Sequence, residues 1–165
     1  MTAVVHERAC LGQQAAQQIA AHVSELPETG DWLVHRLFDQ SYVIVRGKDG
    51  KVRAFINSCT HRGTYVAVEG CGNTSLFTCP YHGWVFDEKG QCTEQPYEEA
   101  EDPHGRFKDK VTTPAYEVAQ LGGMLFGYLG PKPAPVLPKW DLFVEEEAMR
   151  EVGFAVVPCN YLQIM

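Results

Sequence analysis

The sequence has no long hydrophobic run and no excess of positive charge, and each absence excludes a class of function. No stretch approaches the roughly 18 consecutive apolar residues of a transmembrane helix, so we predict no membrane partner. The formal net charge of −7 argues against a nucleic acid partner, because phosphate binding requires a basic face. The first eleven residues contain His6, Glu7 and Arg8 and no apolar stretch, which argues against a secretory signal and predicts a cytoplasmic protein.

The composition is that of an ordinary globular domain. The 165 residues, 45% hydrophobic and 21% charged, are enough for one domain with a core of useful size. In the absence of a secretory signal, metal ligation or free thiols are favoured over disulfides for the six cysteines, Cys10, Cys59, Cys71, Cys79, Cys92 and Cys159.

Beyond residue 30 the pattern predicts short antiparallel strands. Residues 32–37 and 42–46 are rich in aromatic and β-branched side chains. A turn ending in Asp49-Gly50 leads into residues 51–56, which predicts a hairpin. We predict further strands at 84–86, 91–93 and 124–129. Many short strands at close spacing indicate an all-β sandwich or barrel.

The two ends of the chain have different patterns. Leu11, Ala15, Ile19 and Val23 recur at helical spacing, which predicts an amphipathic helix over residues 9–23. The proline-rich residues 131–138 indicate a stiff, extended linker, followed by a short helix at 141–150 and a strand at 152–157. We therefore expect a helical extension over 1–30, a central domain over 31–130, and over 131–165 a linker with the start of a further domain that this chain does not contain.

One pattern carries chemistry. Cys59-Thr60-His61 and Cys79-Pro80-Tyr81-His82 each place one thiolate and one imidazole on a tight turn. Two thiolates suit an iron that stays ferric, and two neutral imidazoles on a second iron favour reduction there. From the spacing alone, a [2Fe–2S] cluster is favoured over a tetrahedral Cys₂His₂ zinc site, where a Cys-x-His half is unusual. A chance grouping of four unrelated residues stays open as well.

The residues around this pattern resemble a known family. Residues 57–63, Asn-Ser-Cys-Thr-His-Arg-Gly, and 79–84, Cys-Pro-Tyr-His-Gly-Trp, are similar to the two cluster loops of Rieske non-haem iron oxygenases. Residues 107–111, 122–131 and 160–163 resemble the phthalate-dioxygenase-like branch. The resemblance implies a Rieske-type antiparallel β-sandwich with two cluster-binding loops. It also implies that the [2Fe–2S] ligands are Cys59, His61, Cys79 and His82.

The resemblance further implies the N-terminal Rieske domain of the alpha subunit of an aromatic-ring oxygenase, an oxidoreductase. A ferredoxin or flavin reductase would supply electrons, and they would pass to a mononuclear Fe(II) that activates O₂ outside this chain. No catalytic residue is expected here, and the full-length protein is expected to be a homotrimer that hydroxylates or demethylates a small aromatic molecule. The alternatives are a free-standing Rieske ferredoxin and a zinc-binding interaction module.

Residues near the motif have expected roles too. Gly63 and Gly83 would let the backbone approach the cluster, and Trp84 would shield it or pack in the core. A low potential is expected, because Trp84 and Phe86 stand where high-potential respiratory Rieske proteins carry hydroxyl donors. The acidic runs 98–102 and 145–147 read as solvated, or as docking sites for a reductase. The other cysteines read as free thiols, and four histidines read as surface or core residues: His6, His22, His35 and His104.

Overall fold

The computed structural model describes residues 17–153 except 38, 69, 102–103 and 105, together with residue 158. Its strands are β1 Gln17–His22, β2 Asp31–Leu37, β3 Gln40–Arg46, β4 Val52–Ile56, β5 Cys71–Asn73, β6 Leu76–Thr78, β7 Val85–Asp87, β8 Cys92–Glu94, β9 Ala115–Leu121 and β10 Met124–Tyr128. Its α-helices are α1 Pro96–Glu101 and α2 Asp141–Val144, and 3₁₀ turns cover Val23–Glu25 and Lys108–Lys110.

The strands form two antiparallel sheets. A large sheet has the order β1-β10-β9-β4-β3-β2-β5, and a small sheet has the order β6-β7-β8. The large sheet holds the predicted hairpin, in which Val45 of β3 faces Arg53 of β4. The predicted all-β class is confirmed, and no helix among the described residues is long and apolar enough to cross a membrane.

The core lies on both faces of β3, because successive side chains of a strand point to opposite sides. Val43 and Val45 contribute to a cluster that contains Phe55, Phe77 and the small-sheet residue Phe86. Ile44 points the other way, into a cluster with Ala21, Leu26, Ala54 and Leu125. The Phe55 and Phe77 rings meet edge to face at 5.2 Å, which ties the large sheet to the small one. The loops that carry the cysteine–histidine pattern are thereby attached to a packed scaffold.

The strands predicted at 32–37, 42–46, 51–56, 84–86, 91–93 and 124–129 are confirmed within a residue or two. Four strands were not predicted: β1, whose segment was predicted as a helix, and β5, β6 and β9. Strands β5 and β6 are only three residues long, which is too short for a strand pattern to be recognised in the sequence. Strand β9 contains Ala115, Ala119 and Gln120, which have little strand propensity.

The helix predicted for residues 9–23 is wrong where the structure describes it. Residues 9–16 lie outside the described part of the chain, and residues 17–22 form strand β1, paired with β10. The Gln- and Ala-rich sequence favours a helix locally, but β10 offers a row of backbone groups to pair and a buried place for Ala21. Sheet pairing therefore overrides the weak helix propensity.

The segment after β10 is only partly regular. The helix predicted at 141–150 is wrong beyond Val144, since residues 145–153 form no helix, and acidic residues 145–147 are unfavourable at a helix C-terminus. For the strand predicted at 152–157, residues 152–153 are irregular and 154–157 lie outside the described residues. The proline-rich segment touches the sheet, because Gln17 Nε2 donates to Pro135 O at 2.8 Å.

Candidate metal centre

The first loop closes on itself through two backbone hydrogen bonds. The Cys59 amide donates to Thr64 O at 2.8 Å, and the Gly63 amide donates to Cys59 O at 2.7 Å. Gly63 has a φ of 76°, a conformation that costs side-chain-bearing residues roughly 1–2 kcal/mol. The glycine thus lets the chain turn back directly after His61 and Arg62.

The second loop repeats this closure in an unrelated part of the chain. The Cys79 amide donates to Trp84 O at 2.8 Å, and the Gly83 amide donates to Cys79 O at 3.0 Å. Gly83 has a φ of 74°. The histidine is the third residue of the first loop and the fourth of the second, so matching backbone turns present their imidazoles from different positions.

A buried asparagine fixes the chain that follows the first loop. Asn57 Oδ1 accepts from the amides of Val66 and Ala67 at 3.0 and 2.9 Å. Its Nδ2 donates to Ala67 O at 2.9 Å and to Ser41 Oγ at 3.1 Å. With 1% exposure, this side chain replaces the backbone partners that a strand would otherwise supply. Asn57 therefore sets the path of the loop relative to β3.

The cysteines of the two loops come together as a buried pair. Cys59 and Cys79 are each 2% exposed and belong to the same core cluster. Burial is the main cause that raises the pKa of the Cys59 thiol, while hydrogen bonds from the amides of His61 and Arg62 to its sulfur act in the opposite direction. Donors are therefore in place for a thiolate, but the charge needs a cation, which a metal supplies.

The histidines form a second pair. The His61 and His82 rings lie 4.7 Å apart between centroids. Within the described part of the chain, the Nδ1 atom of each ring is buried and has no hydrogen-bond partner. Most buried polar groups are paired, so two adjacent unpaired nitrogens indicate a ligand. Two sulfurs and two imidazole nitrogens are the donor set of a Rieske cluster, and the residues fit that group.

The donors of the site lie in two pairs, one of buried thiols and one of imidazoles. A tetrahedral zinc site needs four ligands around one point. Paired thiols beside paired imidazoles instead suit a group with two metal atoms.

Trp84 covers one side of the histidine pair. Its indole lies parallel to the His61 ring, with centroids 4.8 Å apart and 12° between planes. The residue is 4% exposed and belongs to the core cluster that contains both cysteines. Its Nε1 donates to Glu98 Oε2 at 3.1 Å. Trp84 therefore packs in the core and also shields one face of the His61 ring from water.

Tyr81 covers the other histidine from outside. Its ring stacks on His82 at 3.9 Å, yet the side chain is 56% exposed. The Arg62 guanidinium lies 5.8 Å from the centre of the Tyr81 ring, within cation–π range. The histidine side of the site is thus the side that approaches the surface.

The remaining cysteines and the acidic run 98–102 were expected to play no part in the site. Cys71 is exposed, Cys92 is buried, and both are free thiols, while Cys10, Cys159 and His6 lie outside the described residues. In the acidic run 98–102, Glu98 and Glu99 are half-buried and each has a partner within the domain. Glu98 binds Trp84, and Glu99 Oε1 lies 2.6 Å from Lys108 Nζ. Helix α1 was not predicted from the sequence, so neither contact was foreseen.

Comparisons with known proteins agree with this geometry. The model of the Rieske [2Fe–2S] domain family matches residues 16–117. The chain is 42% identical over 130 residues to the 5,5'-dehydrodivanillate O-demethylase oxygenase subunit of Sphingobium sp. (strain NBRC 103272 / SYK-6), covering 78% of this chain and 30% of that protein. It is 33% identical over 155 residues to the alpha subunit of chlorobenzene dioxygenase from Cupriavidus sp. (strain PS12), covering 87% of this chain and 34% of that one.

Among solved structures, the fold is similar to naphthalene 1,2-dioxygenase from Rhodococcus sp., crystallised with indole. The TM-score is 0.65 at 33% identity, covering 72% of this chain and 27% of that structure. This chain therefore spans about a third or less of the length of each of these three relatives. The family match covers more than half of the chain, so the chain belongs to the Rieske [2Fe–2S] domain family, whose members bind a [2Fe–2S] cluster.

Proposed function

We propose that this chain is the electron-transfer domain of an aromatic-ring oxygenase alpha subunit. The observation that carries the proposal is the pair of matching loops, which bring two buried thiols and two unpartnered imidazole nitrogens together. The O-demethylase and dioxygenase relatives support the oxygenase assignment and disfavour a free-standing ferredoxin. The cluster supplies reversible one-electron transfer when bound.

In this proposal Cys59 and Cys79 ligate one iron, and His61 and His82 ligate the other through Nδ1. The buried cysteines hold their charge away from water, and the amides near Cys59 stabilise its thiolate. The histidine rings are only half-buried, so they form the path of closest approach for an electron donor or acceptor. Trp84 excludes water from the face of His61 that it covers.

The whole protein would be a cytoplasmic homotrimer. A ferredoxin or flavin reductase would donate the electrons, and a mononuclear Fe(II) in a catalytic domain outside this chain would act on a small aromatic substrate. The Rieske unit would end near residue 130, with residues 131–165 leading towards that domain. The relatives' names support aromatic substrates, for both demethylation and dioxygenation.

Metal and sulfide analysis of the purified chain tests the cluster itself. We expect two irons and two acid-labile sulfides per chain and a midpoint potential near the low end of the roughly −150 to +300 mV Rieske range. One zinc without sulfide would refute the cluster, and a midpoint above about +100 mV would contradict the expected environment.

Substitutions test the ligand assignment. Cys79→Ala should lose the cluster, whereas Cys71→Ala, which changes an exposed thiol, should keep it. His82→Cys should retain a cluster with a lower potential, because thiolate replaces imidazole. Full cluster content in purified Cys79→Ala would show that the ligands are wrongly assigned.

Product analysis tests the division of labour. After reduction by dithionite, the chain should be re-oxidised by a chemical acceptor and should form no oxygenated product from aromatic acids, even with added Fe(II). Joining the downstream polypeptide should give turnover. An ¹⁸O-labelled product from this chain alone would contradict the proposal.

A further inference from the structure

Resting on the proposed function, we propose that Glu98 is a positioning residue for the cluster site, which acts on His61 through Trp84 and lowers the reduction potential by its charge. Glu98 Oε2 accepts the Trp84 indole N–H at 3.1 Å, and the same indole lies parallel to the His61 ring at 4.8 Å. A chain of direct contacts thus connects Glu98 on helix α1, through the Trp84 indole, to the proposed ligand His61.

Helix α1 is packed firmly enough to make this link meaningful. It begins at Pro96, whose Cγ lies 3.5 Å from the point where a Cβ on Gly83 would be. Glu99, beside Glu98, is tied by Lys108 at 2.6 Å. Helix α1 therefore contacts the second loop at Gly83 and at Trp84. The ion pair between Glu99 and Lys108 also anchors the helix to the rest of the domain.

The hydrogen bond fixes the Trp84 ring. A buried indole N–H without an acceptor costs about 1–3 kcal/mol, so the ring orientation that reaches Glu98 is favoured. That orientation is the one that lies flat on His61. The Glu98 carboxylate therefore helps to fix the orientation of the Trp84 indole on which the His61 imidazole packs.

The charge acts separately from the hydrogen bond. Reduction adds one negative charge to the site, and a nearby anion disfavours that addition, which lowers the potential. Glu98 is half-buried, so salt screens it less than it screens an exposed carboxylate. A glutamine at this position would keep an oxygen acceptor for the indole and remove the charge.

Redox titration of the cluster-loaded chain separates the two effects. Glu98→Gln should shift the midpoint upward by clearly more than Glu101→Gln, a matched change at an exposed position of the same helix. The spectrum of the reduced cluster in electron paramagnetic resonance should stay as in the wild type, because the acceptor is kept. Equal shifts in the two variants would overturn the charge role.

A double-mutant cycle tests positioning through Trp84. Glu98→Ala should alter the resonance line shape in the wild-type background and should add no change in a Trp84→Phe background, where the indole N–H is gone. The same change in both backgrounds would overturn positioning. If no variant, nor the wild type, contained iron and sulfide, the proposed function would fail instead, so the two failures are distinguishable.

Discussion

Gly63 and Gly83 hold the same backbone conformation, with φ of 76° and 74°, and each donates its amide to the carbonyl oxygen of the cysteine four residues before it. Twenty residues separate them, and they share no strand. The same backbone turn therefore forms in both loops, although one residue lies between cysteine and histidine in the first loop and two in the second. Each turn brings a cysteine and a histidine to the same place.

Replacing either glycine by alanine should destabilise its turn. A Cβ has room in both loops, since the nearest atoms are Ser58 Oγ at 4.0 Å and Pro96 Cγ at 3.5 Å. The cost is therefore the strain of a positive φ, about 1–2 kcal/mol. We expect Gly63→Ala and Gly83→Ala to lose that much free energy of unfolding in urea titrations and to hold less cluster.

Gly50→Ala is the matched control for these two variants. Gly50 has a φ of 77° and nothing within 4 Å of a Cβ, but it lies in the β3–β4 turn, outside the two loops. It should lose similar stability and keep full iron and sulfide content. Loss of iron in Gly50→Ala to the same extent would show that strain anywhere in the domain, rather than turn geometry, governs loading.

Asn57→Ala should be among the more damaging polar substitutions. It leaves the amides of Val66 and Ala67 without their acceptor in a buried place, at about 1–3 kcal/mol for each unpaired group. We expect the free energy of unfolding to fall by roughly 2–6 kcal/mol. Asn73→Ala, which removes hydrogen bonds at an exposed position, should cost less than about 1 kcal/mol. Similar losses in both variants would contradict the bracing role of Asn57.

Thiol labelling should distinguish Cys71 from Cys92. Cys71 is exposed, whereas Cys92 is 2% exposed and burial raises its pKa to about 11. Because the thiolate is the nucleophile, only about one Cys92 in a thousand would be reactive at pH 8, even if reagent reached it. Peptide mapping after iodoacetamide treatment should find Cys71 modified first and Cys92 only after denaturation. Early modification of Cys92 in the folded chain would contradict its buried placement.

The stability of the fold should decrease with acidity partly through His35. Burial lowers the pKa of this imidazole below its ordinary value, so the unfolded chain binds a proton more readily than the folded chain. The free energy of unfolding should therefore fall as the pH drops through and below about 6.5. His35→Gln should flatten this part of the curve in urea unfolding between pH 7 and 5. An unchanged slope would show that His35 does not titrate differently in the two states.

Local sequence by itself indicated six of the ten described strands, the turns and the chemistry of the site. Gly50, Gly63 and Gly83 adopt backbone conformations that other residues adopt only with strain. Their turns can therefore be predicted from the residues immediately around them. Residue type and spacing favoured a cluster, and the resemblance of the flanking residues to Rieske oxygenases implied Cys59, His61, Cys79 and His82 as its ligands.

Tertiary structure alone decided the state of the N-terminal segment and the partner of Trp84. Residues 17–22 carry a helical pattern, but pairing with the edge of β10 that β9 leaves open makes them a strand. Glu98 looks like one member of an acidic run, and its contact with Trp84 depends on where α1 packs, fourteen residues further along the chain. Hydrogen bonds between distant residues arise from the packing of whole elements, and no local propensity encodes them.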